Sequence, residues 1–96
     1  MNTVTQTQQA SSDLFEIWED IARNNPQEAD QFIHHFDDKV KLLAQNPELG
    51  RSRDPLHPAL QSAPVGNYRL YYLPQAKGIE IVRVLNSYKD IDTLFI

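Results

Sequence analysis

The sequence predicts an α+β domain, with an N-terminal antiparallel helix hairpin packed on one face of a small antiparallel sheet. Three observations carry this. Two stretches in the first half repeat their apolar residues with a helical period and meet at Asn25-Pro26. Two runs in the second half, Pro64 to Leu73 and Ile79 to Leu85, are rich in aromatic and β-branched residues and flank a short polar segment that ends in Gly78. The helical stretches come first and the strands follow, rather than alternating, so the sheet is antiparallel and its helices lie on one side.

The bulk numbers bound the function. A chain of 96 residues suits one domain, here 1–96, with one core. No stretch is long and apolar enough to cross a bilayer, so no membrane partner is expected. Residues 1–9 carry neither the basic block nor the apolar block of a signal peptide. The absence of cysteine removes disulfides, thiolate nucleophiles and cysteine-ligated zinc, and it fits a cytoplasmic protein. A net charge of −4 argues against a nucleic-acid polyelectrolyte binder, so direct sequence-specific DNA binding is not expected of this chain alone. The charge is unevenly placed: residues 1–48 carry three basic and nine acidic side chains, whereas residues 49–96 carry six basic and four acidic. Solvated helix faces followed by a sheet account for this, and a C-terminal half that meets an anionic partner is the sharper reading.

Taken in order, residues 1–9 read as a frayed tail or one short edge strand around Val4. Ser11-Ser12-Asp13 offers cap residues and an acid for a helix start. Leu14, Ile17, Trp18, Ile21 and Ala22 follow at helical spacing, and the helix stops near Asn24. Asn25 caps a second helix, with Pro26 at its first position and Glu28 three residues after the cap. Ala29, Phe32, Ile33, Phe36, Val40, Leu43 and Ala44 form its apolar stripe, and Asn46-Pro47 ends it. The short connection makes the two helices an antiparallel hairpin, with Trp18 and Phe36 as seam residues. Gly50 closes a turn as an expected positive-φ position. Arg51 to Pro58 reads as an ordered loop, and Leu60 to Val65 as a strand that Pro64 restricts to an edge or an end. Ile91, Leu94 and Phe95 in the tail are spaced to lay one apolar side on the domain.

Both runs of the ribbon carry an arginine, Arg69 and Arg83. An arginine inside an apolar strand is costly unless its head reaches water or a partner. Alternation puts Arg69 and Tyr71 opposite Leu70 and Tyr72, on a face that stays open. Arg51, Arg53, Arg69, Arg83 and Lys89 are therefore candidates for an anion-recognising face or rim, because arginine offers planar forked donors. The competing reading is scattered surface charge plus one structural ion pair, with Glu80 or Asp90 as the partner of Arg83.

Catalytic and metal chemistry find little support. His34 and Asp38 lie one helical turn apart, but two ligands are too few for a metal and a solvated helix face is the favoured reading. His57 has no evident nucleophile or orienting partner. There is no phosphate-binding glycine loop, no serine in a nucleophile elbow and no assignable carboxylate pair. No cofactor, metal or catalytic residue is assigned.

Several strings nevertheless combine into a recognisable order. They are Asp13-Leu14-x-x-Ile17-Trp18-x-x-Ile21-Ala22, Asn25-Pro26-x-x-Ala29-x-x-Phe32-Ile33 and Leu42-Leu43-Ala44-x-Asn46-Pro47-x-Leu49-Gly50-Arg51. Pro64-Val65-Gly66-x-Tyr68-Arg69-x-Tyr71-Tyr72 and Ile79-x-Ile81-Val82-Arg83-Val84-Leu85 follow, with Lys89-Asp90-Ile91 in the tail. This ordered set resembles the ParE branch of the RelE/ParE toxin superfamily.

The resemblance implies a helix hairpin against a small twisted antiparallel sheet, and a toxin from a two-component toxin–antitoxin pair. It implies inhibition of DNA gyrase by binding, and neutralisation by a ParD-like antitoxin whose flexible acidic C-terminal segment folds onto the toxin. RelE-like relatives instead cleave messenger RNA on the ribosome, which is the alternative activity; a remnant that has lost toxicity is a third reading. Asn86 stands near a position often held by histidine in relatives, with Tyr88 and Lys89 as the only nearby substitutes, so the acid–base set of the ribonuclease branch is not intact. Candidate antitoxin- or target-binding residues are Phe15, Trp18, Arg51, Arg53, Arg69, Tyr71, Arg83, Tyr88 and Lys89. They border the expected groove or carry matching charge.

Overall fold

The computed structural model describes residues 3–54 and 57–87. Two helices, α1 (Gln8–Asn24) and α2 (Pro26–Gln45), pack against a five-stranded sheet. Its strands are β1 (Thr3–Gln6), β2 (Arg51–Ser52), β3 (Gln61–Val65), β4 (Tyr68–Gln75) and β5 (Gly78–Asn86), in the spatial order β1-β5-β4-β3-β2. All pairs are antiparallel except β1 with β5. Residues 3–6 are thus an edge strand rather than a frayed tail. The tail positions Ile91, Leu94 and Phe95 lie outside the described residues.

The helix boundaries follow local chemistry. The Asn25 side chain accepts from the Glu28 amide at 3.2 Å with Pro26 next in line, as the sequence predicts for α2. The start of α1 differs from expectation. Its cap is Thr7, whose hydroxyl accepts from the Ala10 amide at 3.0 Å, so Ser11, Ser12 and Asp13 are already helical. Thr7 follows β1 directly, so the cap also turns the chain from strand to helix.

The sheet corrects two further readings. The first aromatic run is not one strand: Pro64-Val65 closes β3, Gly66-Asn67 turns, and Tyr68 opens β4. Pro74 and Gln75, expected in a loop, belong to β4, and the turn to β5 shrinks to Ala76-Lys77. Gly78, at φ +152°, takes the turn exit, where a Cβ would overlap the backbone of Thr3 on β1. A parallel edge strand can approach so closely only over a glycine.

The core lies between the helices and the sheet. Ile17 of α1, with Phe32, Phe36, Val40 and Leu43 of α2, packs on Leu70, Tyr72, Ile79, Ile81 and Val84. Phe32 meets Tyr68 edge-on, with ring centroids 5.2 Å apart. Trp18 is not a seam residue: it is 40% exposed and lies outside this cluster, whereas Phe36 is buried. A second, smaller cluster of Leu60, Tyr71 and Leu85, flanked by Leu73 and Val82, occupies the sheet face away from the helices. Alternation separates it from the core, because Tyr71 follows Leu70 and Leu85 follows Val84.

Gly50 also departs from its predicted role. Its φ is −72°, an ordinary extended conformation, so no left-handed turn requires it. A Cβ there would instead overlap the Tyr72 hydroxyl. Tyr72 reaches from β4 to the 3₁₀ turn Pro47–Leu49 and donates to the Pro47 carbonyl at 2.6 Å, with the Gln61 side chain 2.9 Å away.

Candidate functional site

The register of β5 sets the geometry around α1. Pairing with β4 shifts by one residue between Tyr71 and Tyr72: Tyr71 faces Arg83 and Tyr72 faces Ile81, leaving Val82 as an extra residue. Ile81 and Val84 both join the helix-side core, so the bulge breaks the alternation that would set the direction of Arg83. The Arg83 guanidinium turns to α1. Its Nε donates to Asp13 Oδ2 at 2.7 Å and its Nη2 to Oδ1 at 3.1 Å.

The same carboxylate accepts from the Val84 amide at 3.1 Å. Pairing of β1 with β5 ends at Gln6 and Ile81. Beyond that point the Thr7 amide donates to the Ile81 carbonyl and the Thr7 hydroxyl to the Val82 carbonyl at 2.8 Å. Thr7 and Asp13 therefore continue, with side-chain groups, the edge pairing that β1 leaves unfinished. This corrects the expected partner of Arg83, which is Asp13 rather than Glu80. The alternative partner, Asp90, lies outside the described residues. Arg83 does not stand on an open face: its side chain is 18% exposed and that of Asp13 8%.

The other candidates separate into two regions. Phe15 and Trp18 lie on the outer side of α1, 61% and 40% exposed. They are i, i+3 neighbours and form one aromatic stripe. Arg53, Arg69 and Tyr71 lie on the far sheet face. Arg53 Nε donates to the Ser62 hydroxyl at 2.9 Å, and Ser62 pairs with Tyr71. Arg69 is half-buried and pairs with Leu85 of the far cluster. Tyr71 has the predicted side but not the predicted exposure: it is 3% exposed, packed with Leu60 and Leu85. Arg51 is exposed on β2 at the sheet edge. Tyr88 and Lys89 lie outside the described residues. The structure thus brings Arg53, Arg69 and Tyr71 to one face and leaves Phe15 and Trp18 on another.

Asp13, Thr7 and Tyr72 were missed as organising residues. Asp13 had a readable signal, since it precedes Ile17 by four residues and so lies on the buried stripe of α1. An acid there needs a buried cation or donor. Burial holds the Tyr72 phenol above its ordinary value of 10.0; the Gly50 backbone hydrogen bond offsets part of this, and the Glu48 charge adds to it. His34, His35 and His57 are exposed, and no group of three metal-ligating side chains gathers among the described residues. No helix among the described residues is long and apolar enough to cross a membrane.

A helix hairpin on one face of a five-stranded, mostly antiparallel sheet defines a small α+β domain of the RelE/ParE-like fold. Within that class the chain belongs to the ParE toxin family: the model described as "ParE toxin of type II toxin-antitoxin system, parDE" matches residues 4–91. The chain is 31% identical over 85 residues to Toxin ParE1 of Mycobacterium tuberculosis (strain ATCC 25618 / H37Rv), covering 86% of this chain and 87% of that protein. The same figures hold for Toxin ParE1 of strain CDC 1551 / Oshkosh. A solved structure titled "Chromosomal ParDE TA system from P. aeruginosa" superposes with a TM-score of 0.71 at 21% identity, covering 90% of this chain and 96% of that one, and so shares the fold.

Proposed function

We propose that this ParE-family toxin inhibits DNA gyrase by binding and is held inactive by a ParD-like antitoxin, both in the cytoplasm. The observation that carries the reading is the family match from residue 4 to 91, which runs through both helices and all five strands. The exposed Phe15–Trp18 pair supports a binding role. Large aromatic side chains left on the surface mark protein contacts more often than catalytic sites. Arg53 and Arg69 on the far sheet face supply positive charge for a second contact.

The test is controlled expression in a bacterium, with and without the antitoxin encoded beside this chain. Filamentous cells, a DNA-damage response and plasmid trapped in a cleaved complex are expected, and the antitoxin restores growth. Immediate translation arrest with discrete codon-dependent cuts in messenger RNA would instead establish the ribonuclease activity. Unimpaired growth at full expression would identify a non-toxic remnant.

A further inference from the structure

A hollow of about 310 Å³ opens between the helix hairpin and the Gly66-Asn67 turn that joins β3 to β4. Glu28, Gln31, Phe32 and His35 line it from α2, and their i, i+3, i+4, i+7 spacing puts them on one stripe of that helix. Phe32 and Tyr68, edge-on to each other, supply an aromatic wall. Beside this wall stand acceptors: the Glu28 carboxylate and the side-chain carbonyls of Gln31 and Asn67. The Asn25 cap engages the Glu28 backbone amide and not its carboxylate. No lysine or arginine lines the hollow. Its size falls at the small end of ligand pockets, which span about 300–1,000 Å³, so it suits one long side chain rather than a docked helix.

We infer that this hollow receives a single arginine side chain presented by the gyrase target. The inference rests on the proposed gyrase reading and names the chemistry of one contact within it. A guanidinium is flat enough to lie over an aromatic ring and carries five N–H donors to share among several acceptors; an ammonium is compact and does both less well. An acidic side chain would meet Glu28 without compensation. The surrounding charge agrees, since residues 1–48 carry nine acidic side chains against three basic. Phe15 and Trp18 do not line the hollow, so an antitoxin seated on those aromatic residues leaves it to the target.

The experiment has two arms on the full chain. In the first, Nα-acetyl-arginine amide is titrated while backbone amide resonances are followed, with Nα-acetyl-citrulline amide as its uncharged isostere. Saturable shifts at Gln31, Gly66 and Asn67 are expected with the arginine compound, and binding about five-fold or more weaker with the citrulline compound or with Glu28→Gln. In the second, inhibition of purified gyrase is measured for Glu28→Gln and for Gln31→Lys, which places a cation of the chain's own beside Glu28. Both positions are exposed, and circular dichroism with thermal melting checks the fold. Asp30→Asn, an exposed change on α2 outside the hollow, controls for bulk charge. Both hollow variants should need about ten-fold more protein for equal inhibition, and Asp30→Asn close to the ordinary amount. Absence of shifts at the hollow, equal binding of the citrulline compound, or full inhibition by the folded hollow variants overturns the inference while leaving the gyrase reading intact. Failure of the unsubstituted chain to inhibit gyrase overturns that reading and this inference together.

Discussion

Asp13 of α1 and Arg83 of β5 meet in a two-pronged ion pair, at 2.7 and 3.1 Å, and the same carboxylate takes the Val84 amide. Seventy residues apart in sequence, they fasten the first helix to β5 where β1 ends. A mostly buried carboxylate with four donors, the fourth being the Gln9 side-chain amide at 3.4 Å, holds its charge at small cost, but either ion left alone is expensive.

Asp13→Ala should therefore destabilise the fold by about 2–4 kcal/mol, because it strands both the guanidinium and the Val84 amide. Asp13→Asn keeps an acceptor for the amide and should cost less. Arg83→Ala should cost nearly as much as Asp13→Ala, and the double variant clearly less than the sum. Urea denaturation of the four proteins measures this. Additive losses would show that the pair contributes nothing as a pair.

A second lock holds the chain after α2. Gly50→Ala should cost about 1–3 kcal/mol, because the new methyl drives the Tyr72 ring off the Pro47 carbonyl. Tyr72→Phe should cost about 1–2 kcal/mol through the part-buried Pro47 and Gln61 acceptors that lose its hydroxyl. With the hydroxyl gone the alanine at position 50 has more room, so it should cost less in the Tyr72→Phe background. Equal costs in both backgrounds would place the constraint at Gly50 elsewhere.

The raised Tyr72 phenol gives a signed pH dependence. The folded state holds this proton more tightly than the unfolded chain, so its contribution to stability is complete below about pH 10 and is lost as pH rises from there through the folded value. Melting temperature should fall more steeply above pH 10 for the unsubstituted protein than for Tyr72→Phe. Parallel alkaline profiles would contradict this.

Most of the fold was legible because it is local. The Asn25-Pro26 cap, the Asn46-Pro47 stop and the two apolar stripes need only near neighbours. The errors share a cause: each depends on contacts distant in sequence. Gly50 looked like a turn glycine because nothing nearby announces the Tyr72 hydroxyl, twenty-two residues on. Arg83 was read as an open-face residue or as a partner of Glu80 or Asp90, because a single-residue bulge at Val82 decides which way it turns. Tyr71 lies on the predicted side, but its burial depends on Leu60 and Leu85 from other parts of the chain. Phe15 is the converse case, since it falls off the apolar stripe of α1 and stays outside. That departure from amphipathic pattern is what makes Phe15 part of the proposed binding surface.

Trp18, the only tryptophan in the chain, reports directly on that surface. The antitoxin contact proposed for Phe15 and Trp18 can be measured directly. Trp18 fluorescence is measured with acrylamide as quencher, before and after addition of a tryptophan-free form of the antitoxin encoded beside this chain. Ready quenching is expected in the free protein, then a blue shift and strong protection in the complex. A stable complex in which Trp18 keeps its emission maximum and its quenching would contradict it.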